Sequence, residues 1–152
     1  MSFEYPKRVR FVCERCAICC GDTEERVRQV LLLKIEAERI SRDISKNIGG
    51  FAEKIEGSEP YAYRMKKTEE GKCVFLKDNL CMIYEVRPLI CRFYPFQLEN
   101  MGDNKFAFTY TSECPGIGKG PSLKRNFFEM LFKESAKIIR EDAKKCSRIN
   151  EY

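Results

Sequence analysis

Cysteines crowd one short segment of this chain. Four of the nine lie within residues 13–20, whose sequence is CERCAICC. Two thiols separated by two residues can bind one centre, because a tight turn brings both sulfurs within its reach. Three cysteines at this repeat with a fourth adjacent are typical of metal ligands, whereas cysteines that serve as small apolar side chains need not cluster. The segment therefore predicts a metal site.

The remaining composition narrows the kind of site. No histidine occurs, which excludes mixed cysteine–histidine zinc fingers, histidine-ligated catalytic zinc, and Ser/His or Cys/His catalysis. The sequence also lacks a Walker loop and a GxGxxG fingerprint. Ligation by cysteine alone suits zinc or an iron–sulfur cluster and excludes Mg²⁺ and Ca²⁺ as primary occupants.

A later Cys-Pro pair supplies the missing ligand of a known pattern. Ferredoxin ligand runs end in a cysteine that precedes proline, and Cys114 precedes Pro115. We therefore predict a [4Fe–4S] cluster bound by Cys13, Cys16, Cys19 and Cys114. Cys91 is the main rival for the fourth ligand position. Structural zinc more often uses two separated CxxC pairs, so Zn²⁺ is the alternative occupant.

Cys20 has a separate role in this interpretation, because adjacent side chains usually diverge. We expect its thiol to face Cys73, Cys81 and Cys91, in a second site or a reserve group of thiols. Cys146 lies far from the others in sequence and is interpreted as a plain thiol.

Charge and targeting signals bear on partners and compartment. The net charge of +5 would fall to about +3 with one [4Fe–4S] centre or about +1 with two four-thiolate zinc sites, so nucleic acid is disfavoured as a partner. Arg15, Arg87 and Arg92 could equally be counter-charges of the site or part of a solvated surface. The chain opens without a signal peptide, and no stretch is apolar for long enough to span a bilayer. We expect a cytoplasmic protein whose thiols stay reduced.

Hydrophobic periodicity predicts the elements that hold the first cysteines. Residues 9–11 indicate a strand leading into the cysteine segment. Residues 24–33 fit a helix, but residues 28–33 fit a buried strand equally well. Apolar spacing then favours a helix over 35–46.

Period-two alternation follows, with strands over 61–65, 73–76 and 80–84. A two-residue turn would pair residue 77 with 80 and separate Cys73 from Cys81. A three-residue turn would pair 76 with 80 and align them. The metal hypothesis requires the second turn, or a bulge.

The C-terminal half continues with a short helix and a hairpin. Arg87-Pro88 predicts the start of a helix that carries Cys91 inward, and a hairpin follows over 96–111. Residues 116–120 are interpreted as a flexible turn. The last helix covers about 122–146, with core positions at Phe127, Met130, Leu131 and Ile138. We therefore predict an α+β fold: one small domain, residues 1–152, of short antiparallel hairpins and helices organised around a cysteine metal site.

Taken together, these motifs resemble the CxxCxxCC (YkgJ-like) cysteine-cluster family, described as zinc- or iron-chelating. The resemblance covers about residues 11–120 and includes Cys73-Val-Phe-Leu, Cys81-Met-Ile-Tyr, Arg87-Pro88, 91–96 (CRFYPF) and Cys114-Pro115-Gly116. A flagellin lysine methylase is described as containing such a domain with an iron–sulfur cluster. The resemblance implies eight metal ligands: Cys13, Cys16, Cys19, Cys20, Cys73, Cys81, Cys91 and Cys114.

Three functions fit this sequence. The first is a [4Fe–4S] protein in electron transfer or as an accessory to another enzyme. The second is a zinc-stabilised structural or binding module. The third is a cluster-dependent enzyme, such as a component of a protein lysine methylase, although the chain has no recognisable nucleotide or S-adenosylmethionine motif. The sequence identifies no protein partner and leaves enzyme activity open.

Overall fold

Short strands and helices alternate along the chain. The computed structural model describes residues 2–24 and 26–149, the side chains of 147–149 excepted. The described helices are α1 (Lys34–Ile44), α2 (Leu89–Phe93) and α3 (Arg125–Ile149). The strands are β1 (Ser2–Glu4), β2 (Arg10–Phe11), β3 (Leu31–Leu32), β4 (Ala52–Lys54), β5 (Tyr63–Met65), β6 (Leu76–Lys77), β7 (Leu80–Cys81), β8 (Phe96–Gly102), β9 (Lys105–Tyr110) and β10 (Ile117–Ser122). This arrangement confirms the predicted α+β fold.

The first core lies between α1 and a small antiparallel sheet of order β3-β5-β4. Leu32, Ile40 and Phe51 are fully buried in it. Of the two alternatives for the segment before α1, the buried strand is confirmed, because β3 pairs with β5 and leads directly into the helix. The helix starts where the Leu33 N–H donates to Glu36 Oε1 over 3.0 Å, which satisfies one of its free amide groups.

The aromatic core lies between α3 and a sheet of order β1-β9-β8. Phe96, Phe108 and Phe128 pack there. The ring centroid of Phe128 lies 5.1 Å from that of Phe96 and 5.1 Å from that of Phe108. The hairpin of β8 and β9 confirms the prediction for 96–111, and its turn residues Asp103 and Asn104 both have positive φ, as a two-residue hairpin turn requires. Sequence periodicity did not predict that β1 would pair with β9 in parallel.

The chain between Cys114 and α3 forms a strand rather than a flexible turn. β10 pairs with β2, with an irregularity between Ile117 and Ser122. The expected turn over 116–120 was therefore wrong, and α3 begins at Arg125 instead of 122 because the preceding residues belong to the sheet. Met130 is exposed whereas Phe128 is fully buried, so the core face of α3 is rotated from the predicted one. Among the described helices, none has the length and apolar character needed to cross a bilayer.

Helix α2 is short and is held at its N-terminal end. The prediction placed Pro88 at the first helical position, but Pro88 is extended and the helix begins one residue later, at Leu89. The Pro88 carbonyl accepts the N–H groups of Cys91 and Arg92 over 3.0 Å each. The Leu89 N–H donates to Glu36 Oε2 over 2.6 Å, so α1 and α2 are joined by one buried carboxylate. This contact fixes the helix that carries Cys91.

Candidate metal centre

Backbone contacts fix both ends of the cysteine segment. Before it, the Val12 N–H donates to the Gly116 carbonyl over 3.2 Å. At its end, the Cys73 N–H donates to the Cys20 carbonyl over 2.6 Å. Between these points the backbone turns through positive φ at Arg15 and Ala17 and then forms a 3₁₀ turn over Ile18–Cys20. The segment is thus folded back on itself, as its spacing predicted.

Three thiols near the Cys-Pro pair form one group, called here the outer thiols: Cys13, Cys16 and Cys114. Cys13 and Cys16 are exposed and Cys114 is buried. Burial raises the pKa of Cys114, and the charges of Cys16 and Cys13 raise it further, whereas the amide groups of Gly116 and Ile117 lower it. The fold therefore brings Cys114 beside two cysteines that lie about a hundred residues earlier in the sequence.

Gly116 makes this close approach possible. A Cβ at this position would lie 2.0 Å from the Val12 carbonyl oxygen, a backbone atom that cannot rotate away. We expect Gly116→Ala to destabilise the protein by about 1–3 kcal/mol, as overpacking typically does, and to reduce metal content because Cys114 is displaced. Thermal melts and metal analysis would measure both effects.

Gly49→Ala is the matched control, because a Cβ there meets nothing within 4 Å. If Gly116→Ala melted and bound metal like the wild type, the close packing of Gly116 against Val12 would not hold the outer thiols together.

The other family cysteines form a second group, called here the inner thiols: Cys19, Cys20, Cys73, Cys81 and Cys91. The sulfurs of Cys19 and Cys20 lie 3.9 Å apart. The expectation that these adjacent side chains diverge was therefore wrong, because the 3₁₀ turn directs both to the same side. Two sulfurs bound to one tetrahedral ion at about 2.3 Å would lie about 3.8 Å apart. The spacing of this pair is close to that of ligands on a single ion.

Cys73 and Cys81 come together in a way that the turn length did not predict. The hairpin of β6 and β7 pairs Lys77 with Leu80 through a two-residue turn, which should have separated the two cysteines. A preceding turn, closed by the Leu76 N–H donating to the Cys73 carbonyl over 3.0 Å, takes Cys73 out of the strand. Both cysteines consequently pack against the first core, as does Cys91.

The inner thiols interact electrostatically with one another. The hydrogen bond from Cys20 lowers the pKa of Cys19 to about 6 and raises that of Cys20. Burial raises the pKa of Cys91 to about 12 and also raises that of Cys73, and the charges of other inner thiols raise both further. The raised pKa values of Cys20, Cys73 and Cys91 mean that a metal ion would have to displace protons from these thiols.

Arg28 is the site residue that sequence reasoning missed. Its Nε and Nη2 atoms are buried without a hydrogen-bond partner among the described residues, and its guanidinium carbon lies 4.6 Å from the ring centroid of Tyr94. Its charge lowers the pKa values of Cys19, Cys73 and Cys91. No sequence signal distinguished it from other arginines, since it lies eight residues beyond Cys20.

The arginines selected from the sequence have different surroundings. Arg92 forms an ion pair with Glu134, with Nε and Oε2 2.7 Å apart. Arg87 stacks on Tyr84 at 3.9 Å and also lowers the pKa of Cys19. Cys146, the ninth cysteine, lies near the end of α3, where its neighbour Lys145 pairs with Glu38 of α1.

The chemistry of these residues fits a bound metal, although the ligands are not preassembled. All nine cysteines are free thiols. Among the described residues, no three Cys, Asp or Glu side chains already converge on a common metal position. The donor set nevertheless consists of grouped thiols, and the two Arg28 nitrogens that lack an acceptor among the described residues suit the negative charge of metal-bound thiolates. Binding would draw the sulfurs together.

Comparison with protein families agrees with this reading of the cysteines. Residues 12–115 match the family model CxxCxxCC, described as "Putative zinc- or iron-chelating domain". The chain belongs to the CxxCxxCC family. This confirms the resemblance found in the sequence and supports metal binding through the cysteines of the CxxCxxCC domain, whose description leaves zinc and iron as alternatives.

Two relatives of this CxxCxxCC protein come from Methanocaldococcus jannaschii. Uncharacterized protein MJ0939 is 29% identical over 140 residues, which cover 89% of this chain and 45% of the relative. Uncharacterized protein MJ0661 is 28% identical over 112 residues, which cover 70% of this chain and 55% of the relative. The chain thus spans about half the length of these relatives. No solved structure matches it significantly.

Proposed function

We propose that this CxxCxxCC protein carries a [4Fe–4S] cluster bound by Cys13, Cys16, Cys19 and Cys114, and that it transfers electrons or assists another enzyme. A bound cluster of this kind supplies one-electron chemistry. The residues of the chain bind it, position it and set its exposure to water. Because the chain spans about half of each relative, the partner enzyme is part of the proposal, as is the assignment of residues 1–152 to one domain.

The position of Cys114 carries this proposal. The CxxCxxC run supplies three thiols at the spacing of ferredoxin ligands, and the fourth ligand must come from elsewhere in the chain. Pairing of β2 with β10 and the bond from Val12 to Gly116 hold the segment 114–116 against the start of the cysteine run. Cys91, the rival for this place, packs against the first core with Cys73 and Cys81, whereas Cys19 belongs to the CxxCxxC run itself.

Exposure of Cys13 and Cys16 supports a role in electron transfer. Electrons pass efficiently only over short distances, so a cluster that serves a partner has to lie near the surface. The two exposed thiols would form the outer edge of the centre, while buried Cys114 anchors its inner side.

The first test is the iron and sulfide content of anaerobically purified protein. We expect a brown protein with about four irons and four sulfides in this centre. Cys16→Ser should abolish the colour and remove these irons, because one of four ligands is lost. Cys146→Ser is the matched control and should keep both. A colourless wild-type protein containing stoichiometric zinc, from cells replete with iron, would contradict the proposal.

The spacing of Cys19 and Cys20 favours zinc as the second candidate. Their sulfurs are 3.9 Å apart, close to the separation of two ligands on one tetrahedral ion. In that case the CxxCxxCC domain is a zinc-stabilised binding module, and the purified protein contains zinc without sulfide.

A further inference from the structure

We propose that Cys20, Cys73, Cys81 and Cys91 form a second centre for a single divalent thiophilic ion, such as Zn²⁺ or Fe²⁺, and that Arg28 is the positioning residue that donates hydrogen bonds to its thiolates. This inference rests on the proposed function only in assigning Cys19 to the cluster. It concerns thiols that a cluster on the outer side leaves unused.

The four thiols come from separate elements that meet at the first core. Cys20 ends the 3₁₀ turn, Cys73 lies in the turn before β6, Cys81 ends β7, and Cys91 lies in α2. Three of them pack directly against the first core. The bond between the Cys73 N–H and the Cys20 carbonyl ties the fourth to this group. Four ligands from four elements suit a centre that closes the fold around itself.

A cavity the size of one ion adjoins two of these thiols, Cys20 and Cys73. A cavity of about 10 Å³ is lined by Cys20, Arg28 and Cys73, together with Gly21, Val30, Met65, Lys66 and Lys67. That volume corresponds to a single water-sized sphere. Cys81 and Cys91 do not line this cavity, so they would have to move toward Cys20 and Cys73 for all four thiols to bind one ion there. A four-iron cluster would require a much larger opening of the first core.

Two donor groups of Arg28 lack an acceptor. Its Nε and Nη2 atoms are buried without a hydrogen-bond partner among the described residues, and a buried donor left unpaired is unfavourable. The nearby carboxylate of Asp22 already pairs with Lys67 and not with the Arg28 guanidinium: its Oδ1 accepts from Lys67 Nζ over 2.7 Å and from the Arg28 backbone N–H over 2.8 Å. Four thiolates with one divalent ion carry a charge of about −2. The sulfurs of such a centre would satisfy both nitrogens of Arg28.

The shape of the Arg28 side chain fits this role better than a point charge would. Its planar guanidinium stacks over Tyr94, with 4.6 Å between the guanidinium carbon and the ring centroid. Stacking fixes the plane in which its N–H groups point. Lysine at this position would retain the charge but would lose the planar arrangement of donors.

The test measures Co²⁺ binding to the full chain after anaerobic reconstitution of the cluster. Thiolate-bound tetrahedral Co²⁺ gives sulfur-to-metal charge-transfer absorption, which is separable from the cluster by difference spectra against cobalt-free protein. We expect one Co²⁺ per chain. Cys73→Ser and Cys81→Ser should each lose this absorption while keeping the four cluster irons, and Cys146→Ser should bind like the wild type.

Substitutions of Arg28 test its part separately. Arg28→Gln should weaken Co²⁺ binding about 10–100-fold, the usual effect of losing a hydrogen bond to a metal ligand. Arg28→Lys should restore only part of this affinity. The control is Arg92→Gln, since Arg92 pairs with Glu134 instead, and it should bind like the wild type. Circular dichroism checks that each variant is folded, and Cys81→Ser replaces Cys73→Ser if the latter is not.

The outcomes separate this inference from the proposed function. Unchanged Co²⁺ binding in folded Cys73→Ser or Cys81→Ser would overturn the second centre. So would loss of cobalt and cluster iron together, because that result indicates one shared site. Wild-type affinity in Arg28→Gln would overturn the role of Arg28. Cobalt binding that depends on Cys73 in a protein that never acquires a cluster would uphold the second centre and refute the proposed cluster.

Discussion

Removal of metal is expected to lower the melting temperature of this protein by tens of degrees. Ligands from Cys13 to Cys114 come from distant parts of the chain, and the unfolded chain cannot bind the metal with them, so binding free energy becomes folding free energy. For structural zinc in small peptides this amounts to about 10–16 kcal/mol. In a domain of about 150 residues, each kcal/mol shifts the melting temperature by about 2–4 °C.

The measurement is a thermal melt before and after chelation under reducing, anaerobic conditions, with metal loss verified by elemental analysis. Reconstitution with the same metal is the control and should restore the original melt. If the melting temperature stays the same in protein that has verifiably lost its metal, the fold does not depend on the centre.

Replacement of Glu36 is expected to have the second largest effect on the stability of the protein. This carboxylate is only 4% exposed. Its two oxygens accept the N–H groups of Leu33 and Leu89, which begin α1 and α2. Glu36→Ala would leave both donors buried without a partner, at about 1–3 kcal/mol for each. We therefore expect a loss of roughly 2–6 kcal/mol, together with weaker metal binding because α2 positions Cys91.

The control for this substitution is Glu53→Ala. Glu53 is exposed and pairs with Arg64, and exposed ion pairs contribute about 1 kcal/mol or less. Denaturant unfolding of metal-loaded protein would measure both variants. A Glu36→Ala protein no less stable than Glu53→Ala would show that water or rearranged backbone satisfies the two amide groups.

Glu36 also predicts a dependence of stability on pH. Burial raises its pKa, and the charge of nearby Asp142 raises it further, while the two amide donors lower it. The native state therefore holds this proton more tightly than the unfolded state does. The resulting stabilisation is complete below the ordinary glutamate pKa of about 4.3 and is lost as the pH rises through the raised native value. Glu36→Gln should remove this fall in stability with rising pH. The measurement is the difference in free energy of unfolding between wild type and variant across this pH range, at equal metal content.

Local sequence signals predicted most of the elements in this fold. The helix over 35–46, the 96–111 hairpin and the helix at Cys91 all follow from periodicity and turn residues over a few positions, whereas periodicity left a helix and a strand as equal alternatives before α1. The parallel pairing of β1 with β9 and the strand β10 could not be found this way, because each depends on a partner about a hundred residues away. Met130 was misassigned for a related reason: apolar spacing on α3 does not fix which side meets the sheet.

Sequence spacing identified the candidate ligand cysteines, but it did not predict correctly how all of them are grouped. The CxxCxxCC run and Cys114 are evident from the chain alone. The 3.9 Å approach of Cys19 and Cys20 depends on a 3₁₀ turn after a left-handed Ala17, a backbone conformation that residue types did not indicate. Arg28 could not be identified either, since its importance comes from two buried nitrogens that lack partners in the described part of the chain and not from any motif.

Because the molecule has two cores, we expect the loss of metal to affect their local stabilities differently. Cys73, Cys81 and Cys91 pack against the first core, whereas the described members of the aromatic core include none of the proposed ligands. Loss of metal should therefore open the first core to amide exchange while the sheet around Phe108 and Phe128 stays protected. The metal-free chain would then be a partly ordered intermediate. Its aromatic core would already be folded, and its first core would fold when the metal ion binds.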